Sequence, residues 1–487
     1  MNIKTKSVVL AVVLSLAVSG AGTISAGAAT KKPAAKPAVK KPAVKKPAAK
    51  KPAAKPAAKP APSAAITSDL QKEINALNAS GGKFTYWIGM IFSDLANAAY
   101  QDQIKSWGKS RGIQTDPILV NQNVQAAQVT AAVAAGTLPP AFDASQTLVV
   151  QLGEKNLLNV KDIVDSQVKK YGGPNKATES MLDPTWPGLN LGVPYAVGGN
   201  IIYRRLDLLK AAGQKTTAPK TWDELMDTAV KTQEKGGAGF NIGLVGDSND
   251  IFRAQFVGYG GRFADAAGKK CTIDTQASRD FLTFVKKWFD KGAYNSGANN
   301  NDGAWDNNLY LGGRTVFIAN PGSVYATMVN GSASWPKSAD LTKMSKNTGF
   351  SGLPAGPKSR VAPSGGQLRV IPKTSKYPLL AKDLIQFLAE TRNAQEYLET
   401  AVYGPVWKSY NVFDFWDENR DPVHGGLFDI ATAGTSATFP DVDNNGYAEF
   451  VAGFNLPKMV QRYLFDGDSM DKTIAEAQKV CQQLYDK

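Results

Sequence analysis

Strand-like and helix-like patterns of apolar residues alternate through most of this chain. The run KFTYWIGMIF is rich in aromatic and β-branched residues, which predicts a strand. The elements predicted from here onward are a strand at 83–92, a helix at 94–110, a strand at 116–122, a helix at 124–136 and a short strand with its outgoing loop at 141–146. Strand, helix and strand in succession predict a parallel sheet with α/β packing.

Later segments are more clearly helical. In PKTWDELMDTAVKTQEKGG, Thr221 and Glu224 have the spacing of a capping box, and Gly236 and Gly237 are predicted to close the helix. Two further helices carry an apolar stripe, which is more typical of core than of a ligand site. The stripes and the tryptophans assigned to the core are Phe281, Phe284, Val285, Trp288 and Phe289, then Leu380, Leu384, Ile385 and Leu388, together with Trp222.

The N-terminal part has the composition of targeting and linker segments. Residues 1–29 combine two early lysines, a short apolar run and small residues, a pattern typical of a secretory signal. Residues 30–62 consist largely of Lys, Pro and Ala without an acidic residue, which predicts a disordered, extended linker. No cysteine follows the apolar run, so the sequence offers no lipoprotein attachment site.

The net charge of +14 comes almost entirely from these two segments. Without their lysines the remaining chain is close to neutral, so the basic balance indicates no nucleic-acid-binding face. We expect the linker either to contact an anionic wall polymer or membrane surface, or to act as a plain spacer.

The chain after residue 62 is too long for one ordinary core and predicts two lobes. It contains two cysteines, Cys271 and Cys481, which could pair in an exported protein. The alternative is a buried free thiol, since Cys481 lies on a helical apolar pattern.

Signals for catalysis are weak. The single histidine, His424, excludes a His-rich metal site, and no nucleophile-elbow, phosphate-loop or dinucleotide motif occurs. We expect no cofactor. Asp441, Asp443 and Asn445 match the first half of a calcium loop, but Ala452 stands where a bidentate Glu is needed, so an ordinary turn is the alternative.

An ordered set of motifs resembles a known family. The segments GVPYAVGGNIIYRRLDLLKAAG, PKTWDEL, FVGYGGRFADAAGKKCTIDTQ and LYLGGRTVFIANPG are similar to those of the extracellular sugar-binding proteins of ABC importers, which include maltose-binding proteins. The resemblance covers about residues 83–487. Arg204 and Arg205 replace the usual Asn and Lys, and residues 413–439 depart from the pattern.

The resemblance implies an α/β fold of two lobes, the type II periplasmic-binding-protein-like fold, with the ligand in the cleft between them. The implied division is a first lobe at 63–195 and 364–412, a second lobe at 196–363 and 440–487, and an atypical insertion at 413–439. Both cysteines would then belong to the second lobe. Gly198 and Gly199 would lie at the first crossover, where missing side chains admit the ligand and free torsions allow hinge bending.

Ligand-binding residues are expected in loops at the strand ends, where α/β sheets bind ligands. Aromatic faces would cover C–H faces of a sugar, while Asp, Asn and Gln bracket its hydroxyls. The predicted set is Phe92, Ser93, Asp94, Ser145, Gln146, Tyr195, Gly199, Asn200, Tyr259, Trp305, Asn320, Tyr325 and Gln367.

The resemblance therefore implies a secreted, monomeric solute-binding protein that captures a carbohydrate and delivers it to a membrane permease, without catalysis. Two hypotheses compete with it: a glycan-degrading enzyme tethered to the wall, and a carbohydrate-binding adhesion module. The sequence does not name the ligand, and polyols or other solutes remain alternatives.

Overall fold

A computed structural model of the protein describes residues 66–182, 188–361, 363–417, 420–433, 435–436 and 438–487. The predicted signal and linker lie outside these described residues. Among the helices that the structure describes, none is long and apolar enough to cross a membrane.

Nine strands form two sheets in the described part of the chain. The first sheet has the order β2-β1-β3-β8-β4, with β9 paired to β8, and the second has the order β6-β5-β7. The strands are β1 Phe84–Met90, β2 Thr115–Asn121, β3 Ala141–Ser145, β4 Val193–Gly198, β5 Ile201–Arg205, β6 Phe317–Asn320, β7 Thr348–Ser351, β8 Pro363–Val370 and β9 Thr435–Ser436.

The predicted parallel packing is confirmed for the first three strands, because β1 pairs in parallel with both β2 and β3. Strand β8 then pairs antiparallel with β3 and with β4, so the chain returns to this sheet in the opposite direction. All three strands of the second sheet pair antiparallel.

Helices cover both sheets. They are α1 Ser68–Ala79, α2 Asp94–Arg111, α3 Gln122–Ala135, α4 Gln146–Asn156, α5 Lys161–Tyr171, α6 Lys176–Leu182, α7 Leu206–Ala211, α8 Trp222–Lys231, α9 Gly246–Gly258, α10 Gln276–Asp290, α11 Trp305–Leu311, α12 Ser323–Asn330, α13 Ala339–Lys346, α14 Pro378–Leu388, α15 Thr391–Ala401, α16 Pro422–Ala433, α17 Asn445–Ala452, α18 Asn455–Leu464 and α19 Met470–Tyr485. Three 3₁₀ helices occupy Gln233–Lys235, Lys408–Val412 and Asp414–Trp416.

The start of α8 has a side-chain cap, while two predicted helix boundaries differ from the structure. Thr221 caps α8 by accepting the Glu224 N–H, but the Glu224 carboxylate accepts the Lys220 N–H rather than completing the predicted capping box. The helix also ends before the predicted glycines, since the Thr232 hydroxyl donates to a carbonyl of the last turn. The predicted loop after β3 is instead the start of α4, because Ser145 accepts the Leu148 N–H and caps that helix.

The structure has two apolar cores, and the second sheet contributes residues to both of them. On β5, Tyr203 belongs to the first core and its neighbour Ile202 to the second, as the alternation of side chains along a strand requires. The predicted stripes on α10 and α14 are buried in the second and first core respectively, except that Phe289 is half-buried against the second core, and Trp222 is 1 % exposed. Residues of the atypical segment, among them Trp416 and Leu427, pack into the first core.

The two cysteines are joined. Cys271 forms a disulfide with Cys481 of α19, and both are buried in the second core. Of the two alternatives that the sequence left open, the structure therefore shows the bonded pair.

Candidate functional site

The two sheets meet at the link between β4 and β5, each with the side on which the ends of its strands lie. Strands β1 and β3 end at this edge of the first sheet, and β8, which runs antiparallel to β3 and β4, begins there. Two residues separate the end of β4 from the start of β5, and the first residue of β5, Ile201, lies opposite Asn320 at the end of β6. We call these two adjoining edges, joined by Gly199 and Asn200, the crossover edge.

The structure brings most of the predicted ligand-binding residues to the crossover edge. Those placed there by strand ends and register are Phe92, Ser93 and Asp94 directly after β1, Ser145 and Gln146 at the end of β3, Gln367 on β8, Gly199 and Asn200 in the crossover, and Asn320 at the end of β6. Gln367 lies opposite Ser145 on one side and Ala196 on the other. Residues distant in the chain thus share one surface because parallel strands end on the same side of a sheet.

Two predicted aromatic residues lie elsewhere. Tyr195 is inside the first core, with its ring 4.3 Å from the Arg369 guanidinium. Tyr259 directly follows α9, and its ring lies 5.5 Å from that of Phe284 of the second core. Both rings are therefore occupied by protein packing.

The other two aromatic residues are half-buried beside the second sheet. Trp305 begins α11 and packs against the second core. Tyr325 on α12 packs its ring 5.4 Å from Phe350, and its hydroxyl donates to the Asp421 carboxylate at 3.2 Å. The single histidine, His424, contacts the same Asp421 carboxylate, with its Nδ1 3.0 Å from a carboxylate oxygen. This histidine therefore belongs to a structural network.

Three predicted residues join the two sides of the crossover edge directly. The Phe92 carbonyl accepts the Thr327 hydroxyl at 2.9 Å, and the Asp94 carboxylate accepts the Ala333 N–H. Gln146 donates its amide to the Asp443 carboxylate at 2.6 Å. These hydrogen bonds hold elements of the first sheet against α12 and α17, so the structure shows the two sides in contact.

A buried polar pair lies on the second-sheet side. The Asn320 amide donates to one oxygen of Asp306 at 2.5 Å, and the other oxygen accepts the Asn307 N–H at 3.0 Å. Asp306 is fully buried, and burial raises the pKa of its carboxyl to about 7 in spite of both donors. The crossover residue Asn200 is also buried, and its amide nitrogen has no hydrogen-bond partner among the described residues.

Sequence reasoning missed the carboxylates of this side. Asp247, second residue of α9, has a raised pKa because of burial and of the neighbouring charges of Asp306 and Asp250. The signal was available for Asp306, which directly follows the predicted Trp305 at the start of a helix. For Asp247 the acidic stretch GDSND after the apolar run NIGLV offered a similar, weaker signal.

The calcium candidates have other partners in the structure. The Asp441 carboxylate accepts the N–H groups of Phe263 and Ala264 at 3.0 and 3.1 Å. Asp443 is hydrogen-bonded to Gln146, and burial raises the pKa of its carboxyl to about 6. Asn445 opens α17. Within the described ranges no group of three or more His, Cys, Asp or Glu side chains could hold a metal ion.

At the crossover edge the described residues offer hydrogen-bonding groups. Carboxylate, amide and hydroxyl groups from both sheets converge there, and amides can donate to and accept from one polyol at the same time. This arrangement suits the capture of a ligand that carries many hydroxyls.

Comparison with known proteins supports this assignment of fold. Residues 105–422 match a family described as bacterial extracellular solute-binding protein. Among proteins of curated function, none matches this sequence. Solved structures with a similar fold include maltose-bound MalE3 of T. maritima, 21 % identical, with a TM-score of 0.69 over 82 % of this chain and 99 % of that one.

Two further structures share the fold. The GacH receptor of Streptomyces glaucescens, solved unliganded and with acarbose, is 19 % identical, with a TM-score of 0.68 over 83 % of this chain and 98 % of that one. A sugar transporter protein of Arthrobacter chlorophenolicus with bound laminaribiose is 12 % identical, with a TM-score of 0.67 over 83 % and 99 %. These likenesses confirm the predicted two-lobed fold of periplasmic binding proteins.

Proposed function

The chain belongs to the bacterial extracellular solute-binding proteins, and on that premise we propose that it captures a carbohydrate at the crossover edge and delivers it to an ABC-transporter permease. The observation that carries the proposal is the family match together with the convergence of polar side chains from both sheets on that edge. Its family is one of binding proteins and not of enzymes.

The groups at the crossover edge fit a sugar. Gln367 and Ser145 from the first sheet, and Asn200 and Asn320 from the second-sheet side, would bracket hydroxyls on opposite sides of a ring, while the buried Asp306 would orient the Asn320 amide. Maltose, acarbose and laminaribiose are the ligands named for three proteins of the same fold, which supports the ligand class.

Binding would operate by closure of the lobes, with no bond made or broken. A ligand shifts the population from the open to the closed arrangement only if it binds the closed one more tightly. Contacts with both lobes at once provide this difference in affinity. The contacts of Phe92 with Thr327 and of Gln146 with Asp443 would form on closure and open on release.

A thermal-shift screen tests this function. The panel contains maltose, maltotriose, laminaribiose and tagatose, with sorbitol and an amino acid mixture as the alternative solute classes. We expect at least one sugar to raise the melting temperature and to titrate calorimetrically with one site. Stabilisation by an amino acid alone, with no response to any sugar, would contradict the proposal.

The competing enzyme hypothesis has no support in the comparisons. Incubation with labelled oligosaccharides separates the two: retention of unchanged sugar supports binding, and shortened sugar supports hydrolysis. The adhesion hypothesis predicts affinity for an immobilised polymer without a shift in melting temperature by short sugars.

Export and retention are further parts of this proposal. We expect the secretory signal to be removed during export, and the Lys-Pro-Ala linker at 30–62 to contact anionic wall or membrane material, with the folded part acting as a monomer. Deleting residues 31–62 should leave sugar affinity unchanged but weaken retention on anionic vesicles or wall fragments, more strongly at low salt because salt screens charge contacts. An affinity loss of about tenfold or more would contradict a linker outside the cleft.

A further inference from the structure

A pair of facing glycines lies at the crossover edge. Gly365 of β8 is directly opposite Gly198 of β4 in the antiparallel ladder. Glycine weakens a strand by lost conformational entropy and absent side-chain packing, so two glycines face to face in neighbouring strands require a reason. That reason is either the backbone conformation, the packing of the fold, or a ligand that approaches the backbone.

Backbone conformation does not require glycine at position 365. Its φ lies outside the left-handed region that favours glycine. A Cβ built at this position would meet no described atom within 4 Å. The described part of the fold would therefore accept a larger residue here.

The next residue on the same strand shows the contrast. A Cβ at Gly366 would lie 2.6 Å from the Met181 sulfur, so packing explains that glycine. At Gly198 a Cβ would lie 3.2 Å from the ring of Tyr403, a tight contact that also involves protein atoms. Among these three glycines only Gly365 faces space that the described residues leave open.

Polar and aromatic groups border this open space, which we call the Gly365 slot. Side chains alternate along a strand, so Gly365 shares its face of β8 with Gln367. Tyr403 lies beside the facing Gly198, and the Gln122 side chain at the start of α3 is near enough to its hydroxyl to influence the pKa of that group. The slot thus combines a bare backbone floor, an aromatic neighbour and two amide side chains.

We infer that Gly365 is a specificity-determining residue, which keeps the slot open so that the flat C–H face of a pyranose ring can lie against the backbone of β8 and β4 beside Tyr403. This inference rests on the proposed function and adds the ligand class to it. A ring in a chair form has a flat apolar face that fits a floor without side chains. An acyclic polyol has no such face and gains less from it.

The test adds bulk to the slot and compares it with the opposite face of the strand. Gly365→Ala and Gly365→Leu place a small and a large side chain in the slot, and Gly366→Ala on the other face is the matched control. Calorimetric titrations use maltose, maltotriose, laminaribiose and sorbitol. Melting temperatures and circular dichroism are measured on the same preparations without sugar.

We expect Gly365→Leu to weaken binding of the pyranose sugar by at least about tenfold, and Gly365→Ala by a smaller factor. Both variants should melt at or above the parent temperature, since replacing glycine at a compatible position restricts the unfolded chain. Gly366→Ala should melt lower or equal to the parent and keep its sugar affinity.

The outcomes separate this inference from the function on which it rests. If the parent binds a pyranose sugar and both Gly365 variants bind it equally well, the slot is not part of the site and the inference fails alone. If the parent binds only sorbitol, a ring-shaped ligand is excluded and the inference fails as well. If the parent binds no solute of the panel, both the proposed function for these ligands and the inference are overturned.

Discussion

The two cores are held together by different chemistry. In the first, the buried Asp143 carboxylate accepts the hydroxyls of Tyr86 and Tyr100 at 2.6 and 2.9 Å and the Gly89 N–H at 3.1 Å, while Arg369 donates to Tyr100 at 2.8 Å. In the second, phenyl rings such as those of Phe256 and Phe263 stack, and a disulfide joins Cys271 to Cys481.

This difference affects how each core relates to the site. Asp143 and Arg369 lie opposite each other on β3 and β8, and Ser145 and Gln367 of the crossover edge are two residues farther along the same strands. The polar network therefore positions two strand ends that carry predicted ligand-binding residues. The disulfide joins a loop to α19 within the second core, so it stabilises a lobe without contacting the crossover edge.

The largest effect is expected from breaking the polar network. Asp143→Ala leaves the buried Arg369 without its anion, which should cost about 3–5 kcal/mol in the free energy of unfolding. Sugar affinity should fall with it, because Ser145 and Gln367 lose their support. Urea unfolding and calorimetric titration measure both quantities.

Asp102→Ala is the control, since Asp102 forms an exposed ion pair with Lys105. This variant should unfold like the parent, because exposed pairs contribute little. Equal stability of Asp143→Ala and the parent would show that the network does not hold the first core together.

A somewhat smaller effect is expected from opening the disulfide. Reduction, or the double change Cys271→Ala and Cys481→Ala, should lower the free energy of unfolding by about 2–5 kcal/mol, because the unfolded chain regains entropy. Sugar affinity should persist, in contrast to Asp143→Ala. Two thiols titrated in the unfolded, unreduced protein would contradict the bond, and loss of binding on reduction would contradict the separation of the second core from the site.

Acidification should stabilise the protein through the buried carboxyls at the crossover edge. Burial raises the pKa of Asp306 to about 7 and of Asp443 to about 6, so the folded state binds these protons more tightly than the unfolded state. Their contribution to stability is present below the unfolded pKa of about 4 and is lost as pH rises through the folded values.

The melting temperature should consequently rise as the pH falls from 8 to 5, with a gain in the free energy of unfolding on the order of a few kcal/mol. Asp306→Asn should flatten this dependence, and the exposed Asp69→Asn should leave it unchanged. A parent whose stability falls steadily over the same range would show that other groups dominate.

The smallest change in free energy concerns the link between the two sheets. Gly199→Val restricts torsions in the crossover and adds a branched side chain, so sugar affinity should fall by about tenfold, or about 1.4 kcal/mol. The unliganded variant should melt near the parent temperature. X-ray scattering with and without maltose measures closure, and a variant that binds and compacts like the parent would place Gly199 outside the site.

The sequence alone predicted the first three strands with their intervening helices and the apolar faces of several later helices. The spacing of apolar residues on α10, and in the strands and helices from residue 83 onward, is visible within each single element. This local spacing decides which face of the element is buried. The family resemblance, rather than periodicity, placed Ser145, Asn200, Asn320 and Gln367 at strand ends or crossovers, and the structure gathers these residues at the crossover edge. Ligand binding by these residues stays a prediction.

The tertiary structure alone decided which distant groups meet. Tyr195 was predicted at the ligand but packs on Arg369, and Asp306 was overlooked although Asn320 binds it. The Gly365–Gly366 pair resembles the Gly198–Gly199 pair in sequence, but only the ladder shows that Gly365 lies opposite Gly198. Local propensity depends on neighbouring residues. The partner of a buried charge, or the space in front of a glycine, depends on distant chain segments that the topology brings together.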